Sequence, residues 1–206
     1  MTISKNTVLA DLSLRELCRS LAAKSPTPSG GSMAAAVGAL GAAGVSMTLR
    51  FAEGERAVWQ TGRADELGAI AERLCDLVER DAGIYDKVVA AKALAEGREE
   101  ALEKAFRNAL ETPAEMMEAC LGGLRLALVG AEGEMPEHLR CDCLAGAHAL
   151  WAALEDAYLM VTENAGFVAR DADVEALLAG AASMRVEAAK LLGRVRGATT
   201  AGEARA

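Results

Sequence analysis

The sequence predicts an all-helical protein, a bundle of about six helices around a central helix rich in alanine and glycine. Three observations indicate this class: alanine is abundant, proline occurs only 4 times, and aromatic residues make up 3% of the chain. Strands favour β-branched and aromatic side chains, whereas alanine and leucine favour helices. With 206 residues, 52% of them hydrophobic, the chain has material for one core. We therefore expect a single helical domain over residues 1–196 and a disordered tail over 197–206.

The N-terminal third contains the clearest helix boundaries. Ser13 and Glu16 form a capping-box pattern, which predicts that the first helix begins there. The helix should end before residues 25–28, because the two prolines of that segment favour an extended loop. The central helix follows this loop, and Ser32 is placed to cap it. Small residues at four-residue spacing let another helix approach closely, among them Ala34, Gly38 and Ala42.

Apolar residues at helical period predict the remaining helices. The expected features are, in order, a polar stretch over 53–63, a long helix from about Leu67 to Leu94 that Gly97 ends, a helix over 99–111, an apolar helix reaching Val129, a break over 130–136, a helix from about 140 to 166, and a last helix from its N-cap Asp173 to about 196. The methionines at helical positions, Met33 and Met47 included, are interpreted as core packing.

Charge and composition exclude several classes of function. The formal charge of −8, from 22 basic and 30 acidic residues, would repel a phosphate backbone, so nucleic acid is not an expected partner. The 5 cysteines form no C-x-x-C pair and accompany only 2 histidines. We interpret them as reduced thiols of a cytoplasmic protein, with a zinc site or a disulfide framework as the alternative.

The uncharged segment 33–49 is long enough to approach a membrane-spanning helix, but it consists mostly of alanine and glycine. We therefore interpret it as a buried soluble helix and expect no membrane association. An alanine-rich bundle buries less apolar area per helix than usual, which favours association between chains. We expect a homodimer.

The segment 26–32, Pro-Thr-Pro-Ser-Gly-Gly-Ser, carries the strongest functional signal. Its prolines fix two φ angles, and its glycines allow a shaped loop. Free backbone N–H groups and the positive end of the following helix would then face a ligand above the loop. An ordinary turn at a helix entry is the alternative interpretation.

The run 23–43, which includes this loop, resembles the signature of the cyclodeaminase/cyclohydrolase family. That family includes the cyclodeaminase half of formiminotransferase-cyclodeaminase and stand-alone methenyltetrahydrofolate cyclohydrolases. The resemblance continues at Asp81 to Tyr85, at Cys141-Asp142 and at Asn164. It implies an all-helical homodimer with a folate site at or near the subunit interface. It also implies hydrolytic chemistry on a tetrahydrofolate-bound one-carbon unit, with no metal and no redox cofactor.

Two aspartates are the catalytic candidates. A methenyl bridge between two nitrogens is an amidinium-like cation, so a nearby carboxylate would stabilise it and accept a proton from attacking water. Asp81 should flank the buried stripe of its helix, and Asp142 stands at a helix start. The alternative interpretations are a surface charge for Asp81 and an N-cap for Asp142.

The resemblance and the loop also select candidate substrate-binding residues: Pro28, Gly30, Gly31, Ser32, Lys24, Arg56 and Asn164. Asn164 would bind the pterin ring, although an asparagine there also suits a helix end. Folate carries glutamate carboxylates, and an acidic protein needs local cations to bind them. Lys24, Arg50 and Arg56 lie near the two ends of the central helix.

The sequence departs from the family pattern at two places. Ser29 replaces the first glycine of the usual triple-glycine turn, and the segment 54–59 lacks most of the basic cluster found there in the family. Three functions therefore remain open. We expect the cyclohydrolase, because no formiminotransferase domain is joined to this chain. The alternatives are a formiminotetrahydrofolate cyclodeaminase and a non-catalytic helical ligand-binding or scaffold relative.

Overall fold

The computed structural model describes residues 8–51, 57–133 and 135–200, and the side chains of residues 57–59 lie outside that description. Over these ranges the chain forms seven α-helices and two short 3-10 turns, with no strand. The helices are α1 (Leu14–Leu21), α2 (Gly30–Arg50), α3 (Ala57–Lys92), α4 (Arg98–Asn108), α5 (Glu111–Glu132), α6 (Arg140–Ala165) and α7 (Ala172–Thr200). The six helices α2–α7 form the bundle, and the short α1 precedes it, so the predicted all-helical class is confirmed.

The central helix α2 packs against α3, α5 and α6. A side chain at Gly41 would place its Cβ 2.8 Å from the carbonyl oxygen of Gly146 on α6, and a Cβ at Gly146 would lie 2.8 Å from the carbonyl oxygen of Gly41. The two backbones therefore touch with no side chain between them. This contact confirms that the small residues of α2 permit close helix approach.

One face of α2 is left exposed. We call it the apolar stripe: Met33, Leu40, Met47 and Phe51. These side chains are 39% to 64% exposed, so the expectation that Met33 and Met47 lie in the core was wrong. Because α2 is apolar on all sides, its sequence does not distinguish the packed face from the open one. By length and composition α2 is also long enough to span a membrane, but 61% of its most apolar window is buried inside the protein.

The helix N-termini agree with the predictions at one helix and differ at two. Ser13 caps α1 in a complete capping box with Glu16. The predicted cap by Ser32 was wrong, because α2 already begins at Gly30. The predicted cap by Asp173 was also wrong: α7 begins at Ala172, and the carboxylate of Asp171 accepts a hydrogen bond from the backbone of Val174 at 3.0 Å. Asp171 stands three residues before that N–H, which is the spacing an N-cap requires.

Several helices are longer than predicted. The long helix α3 begins at Ala57, within the polar stretch that was expected to precede it, and α5 continues through Gly130 to Glu132. The last helix extends to Thr200, whereas the predicted boundary was residue 196. Residues 201–206 of the predicted tail lie outside the described residues.

Candidate functional site

A cavity of about 170 Å³ lies at the end of the bundle where α2 begins and α6 ends. Its walls come from the loop before α2 and from α2, α3, α4, α5 and α6. The lining includes Ser29, Gly31, Asp81, Phe106, Thr112 and Asn164. Folding thus brings the Pro-Gly loop, the motif around Asp81 and Asn164 to one place.

Asp81 presents its carboxylate to the first turn of α2. Ser29 Oγ donates a hydrogen bond to Oδ2 of Asp81 at 2.9 Å, and Ser32 Oγ lies 3.0 Å from the same oxygen. The single proton of Ser32 is shared with the carbonyl oxygen of Val78 at 3.2 Å. Both hydroxyls approach Oδ2, and within the described part of the chain Oδ1 has no hydrogen-bond donor. Two hydroxyls therefore hold Oδ2 in place, whereas Oδ1 lies against Gly31 without a donor from the described residues.

Gly31 provides the space for this carboxylate. A Cβ at Gly31 would lie 2.0 Å from Oδ1 of Asp81 and 2.7 Å from Oδ2. A side chain at this position is therefore incompatible with the observed carboxylate position. At the neighbouring Gly30, by contrast, an added Cβ would meet nothing within 4 Å. The second glycine of the loop is the one that the contact with Asp81 requires.

Asp81 is the only charged side chain among the described residues that line the cavity, and much of the remaining lining is apolar. Phe106 is part of that lining, and its ring stacks on Phe167 with the centroids 4.2 Å apart. A carboxylate in apolar surroundings attracts a cation more strongly than one in water. The cavity is thus suited to a partly apolar ligand that carries positive charge near Asp81.

Thr112 and Asn164 supply the polar groups on the far walls. Thr112 is buried, and its Oγ1 has no hydrogen-bond partner. Asn164 donates from Nδ2 to the carbonyl oxygen of Ala109 at 2.9 Å, which ties the end of α6 to the junction between α4 and α5. Sequence reasoning missed Thr112, since a threonine in the first turn of an apolar helix is unremarkable until the tertiary contacts are known.

The neighbours of Asp81 in sequence have other partners. Glu79 accepts hydrogen bonds from the backbone of the 3-10 turn at Leu9, and Arg80 pairs with Glu111 and Glu115. Asp81 itself is half-buried and forms no ion pair among the described residues. It therefore does not belong to a surface charge cluster with Glu79 and Arg80.

Most of the predicted substrate-binding residues surround the loop before α2. Gly30 and Gly31 line the cavity, Ser32 is buried against Asp81, and Pro28 is buried within the loop. Lys24 is exposed.

The other predicted site residues lie elsewhere. Arg50 pairs with Asp65 at 2.8 Å and stands at the opposite end of α2 from Gly30, about 30 Å along the helix axis. Arg56 lies outside the described residues. Asp142 is exposed in the first turn of α6, about 33 Å along that helix from Asn164. Within one chain, Asp81 and Asp142 are therefore not brought together.

No three His, Cys, Asp or Glu side chains among the described residues are grouped so that they could hold a metal ion. The buried cysteines are poor nucleophiles, because burial raises the pKa of the Cys120 thiol to about 12 and that of Cys143 to about 11. Among the described residues that line the cavity, the ionisable side chains are Asp81 and Tyr85, and Asp81 is the carboxylate.

Comparison with known proteins agrees with this geometry. Residues 13–183 match the sequence profile of the formiminotransferase-cyclodeaminase family, and this match covers more than half of the chain. The chain belongs to the formiminotransferase-cyclodeaminase family. Membership in this family indicates a folate-related enzyme of one-carbon metabolism. A comparison with curated proteins found no match.

The fold is also that of a solved structure. The formiminotetrahydrofolate cyclodeaminase of Thermotoga maritima is similar to this chain with a TM-score of 0.85 and 22% sequence identity. The match covers 93% of this chain and 97% of that protein. The two proteins therefore share the helical fold over nearly their full lengths.

Proposed function

We propose that this chain hydrolyses 5,10-methenyltetrahydrofolate to 10-formyltetrahydrofolate, with Asp81 as the general base. The observation that supports this most directly is the half-buried carboxylate of Asp81, the only charge among the described lining residues, with Oδ2 held by two serines and Oδ1 free. The methenyl bridge is an amidinium-like cation. A lone carboxylate both stabilises such a cation and accepts a proton from the attacking water.

In the proposed reaction the oxygen of water forms a bond to the bridging carbon, and the bond from that carbon to N5 breaks. Of the two water protons, one ends on N5 and the other is released to solvent, which balances the loss of the positive charge. Asp81 accepts one proton from the attacking water on Oδ1 and passes it to N5 as the bond from the carbon to N5 breaks, which regenerates the carboxylate; the second proton leaves to solvent as the formyl carbonyl forms. The hydroxyls of Ser29 and Ser32 keep the carboxylate oriented throughout, so little reorganisation is needed during the reaction.

A cyclodeaminase reaction is the second candidate, and the similarity to a structure named as a formiminotetrahydrofolate cyclodeaminase favours it. In that reaction N10 attacks the formimino carbon, ammonia leaves, and methenyltetrahydrofolate forms. The same carboxylate would accept the N10 proton and stabilise the same cation. The two reactions therefore make the same demand on Asp81 and differ in the nucleophile.

We further propose that the working form is a homodimer formed through the apolar stripe. The stripe runs the length of α2, and Met33 lies one turn from Gly30 at the cavity. An antiparallel pairing of two α2 helices would bring the far end of one chain, with its Arg50 and Asp142, toward the cavity of the other. Asp142 and the cations of that end would then act on the substrate from the partner subunit.

The primary experiment follows the loss of methenyltetrahydrofolate absorbance with purified protein at a pH where spontaneous hydrolysis is slow. Replacing Asp81 by asparagine should reduce kcat about 10²- to 10⁴-fold, the range typical of a lost general base. Asp86→Asn is the matched control, because Asp86 is exposed on the same helix and does not line the cavity. An Asp81→Asn enzyme that folds and retains wild-type kcat refutes the role of Asp81.

Formiminotetrahydrofolate is tested in parallel by ammonia release. Turnover of that substrate without turnover of the methenyl compound selects the cyclodeaminase. If the wild-type protein converts neither compound, the enzyme hypothesis fails and a helical binding or scaffold protein remains.

A mixing experiment tests the shared site. Asp81→Asn and Asp142→Asn chains, each inactive alone, are mixed and allowed to exchange subunits. In a two-fold symmetric dimer with shared sites, half of the dimers are mixed and each regains one intact site, which restores about a quarter of wild-type activity. A monomer in sedimentation experiments, or no recovery with proven exchange, contradicts the shared site.

A further inference from the structure

Among the described residues that line the cavity, Thr112 is the one whose buried hydroxyl has no hydrogen-bond partner. Thr112 is 1% exposed, lines the cavity from the first turn of α5, and its Oγ1 has no hydrogen-bond partner. By contrast, the hydroxyls of four other buried residues, Ser32, Ser46, Thr48 and Thr199, each have a hydrogen-bond partner. The remaining unpartnered buried side-chain atoms belong to Gln60, Arg140 and Trp151, none of which lines the cavity.

A buried hydroxyl without a partner destabilises a folded protein, because it has lost its hydrogen bonds to water and gained none. Valine has nearly the same shape and no such cost. The position of Thr112 therefore makes physical sense if its partner arrives with a ligand. A polar group on an otherwise apolar wall is the usual means by which a cavity orients its ligand.

We propose that Thr112 is a substrate-binding residue whose hydroxyl hydrogen-bonds the polar edge of the pterin ring. This inference rests on the proposed function. The pyrimidine edge of a reduced pterin carries an amide carbonyl and N–H groups, and a threonine hydroxyl serves either one. The ring faces are compatible with the apolar lining, which includes Val88 and Phe106.

The size of the cavity indicates that the ring system of the folate enters it and that the glutamate tail stays outside. Pockets that enclose a whole drug-sized molecule occupy about 300–1,000 Å³. At about 170 Å³, this cavity accommodates one part of a folate, and its single carboxylate disfavours the anionic glutamate tail. The ring system therefore enters, with the one-carbon bridge at Asp81 on α3 and the pterin edge at Thr112 on α5, while the tail stays outside.

The test compares Thr112→Val and Thr112→Ser with the matched control Thr48→Val. Thr48 is also 1% exposed, but its hydroxyl donates to the carbonyl oxygen of Val45 at 2.7 Å, far along α2 from the cavity. Three quantities are measured: Tm without ligand, Kd for 5-formyltetrahydrofolate by calorimetry, and Kd for 6-methyltetrahydropterin, which has the ring but no tail.

Thr112→Val should raise the Tm of the unliganded protein and weaken both ligands about tenfold, the equivalent of one lost hydrogen bond. Thr112→Ser keeps the hydroxyl and should stay within about twofold of wild type. In turnover, Thr112→Val should raise KM with little change in kcat. Thr48→Val should lower Tm and leave both Kd values unchanged.

Unchanged Kd values in a folded Thr112→Val protein overturn the inference, as does weakening of the folate alone, which would place the contact on the tail. Failure of the proposed function has a different signature, which is read from turnover: the wild type then binds both probes and converts neither substrate. A wild type that binds neither probe overturns both the proposed function and the contact at Thr112.

Discussion

Replacing Gly31 by alanine tests the contact that holds the Asp81 carboxylate against the first turn of α2. The new Cβ would lie 2.0 Å from Oδ1, whereas ordinary contacts begin at 3.4 Å, so the carboxylate has to move by roughly 1.4 Å. A displacement of that size breaks the hydrogen bonds from Ser29 and Ser32. Hydrogen bonds to a charged group contribute about 1.5–3 kcal/mol each, and the lower figure applies here because Asp81 is partly exposed.

Two such losses total about 3 kcal/mol, and the better helix propensity of alanine offsets about 1 kcal/mol. The net loss of about 2 kcal/mol corresponds to a fall in Tm of roughly 4–8 °C for a chain of this size. Because the displaced carboxylate no longer faces the substrate, kcat should fall about 10²-fold or more.

The assay combines thermal unfolding with the methenyltetrahydrofolate absorbance measurement. Gly83→Ala is the matched control, since Gly83 lies on α3 two residues after Asp81 and an added Cβ there meets nothing within 4 Å. That variant should gain up to about 1 kcal/mol of stability and keep its activity. A Gly31→Ala protein with wild-type Tm and wild-type kcat refutes the packing of Asp81 on Gly31.

Two further predictions concern the reactivity of the thiols and the thermal stability of the protein at acidic pH. At pH 8, iodoacetamide should label the exposed Cys18 and Cys141 and leave Cys120 and Cys143 unmodified in mass spectra, because those two thiols are buried and their pKa values are raised; rapid labelling of either buried thiol in the folded protein contradicts this. The backbone hydrogen bond from Val174, followed by Arg107, holds the pKa of Asp171 below its usual 3.8, so the stability that this carboxylate provides is present above pH 3.8 and lost as pH falls through the lowered value. Asp171→Asn should therefore lower Tm at pH 7 and differ less from wild type at pH 2.5, and an equal difference in Tm at both pH values would count against this linkage.

Local sequence patterns predicted the all-helical class correctly but did not predict which face of α2 is exposed. The capping box at Ser13 depends only on neighbouring residues, so the sequence was sufficient to find it. The exposure of Met33 and Leu40 depends on which helices pack around α2. Because α2 is apolar on every side, its sequence does not show which face those helices cover. The start of α2 at Gly30 likewise follows from a tertiary contact, because the first turn closes around a carboxylate from α3.

The candidate site shows the same division. The resemblance and the helical spacing were enough to select Asp81, Gly31 and Asn164, which meet at one cavity. The role of Ser29 was not predictable, since its partner is 52 residues away in sequence. Thr112 had no sequence signal, because its importance arises from a hydrogen bond that it does not make within the protein.

The glycine contact between α2 and α6 has a mechanical consequence. Each of these helices contributes one end to the cavity, Gly30 and Asn164, and their backbones meet at Gly41 and Gly146. This backbone contact lies about 16 Å along α2 from Gly30 by helical rise. Because no side chain separates the two backbones, no side-chain rotation can change the distance between the helices at this contact. Adaptation to a different ligand therefore falls to the side chains of α3, α4 and α5. A methyl group added at Gly41 or Gly146 would instead push α2 and α6 apart without touching the ligand.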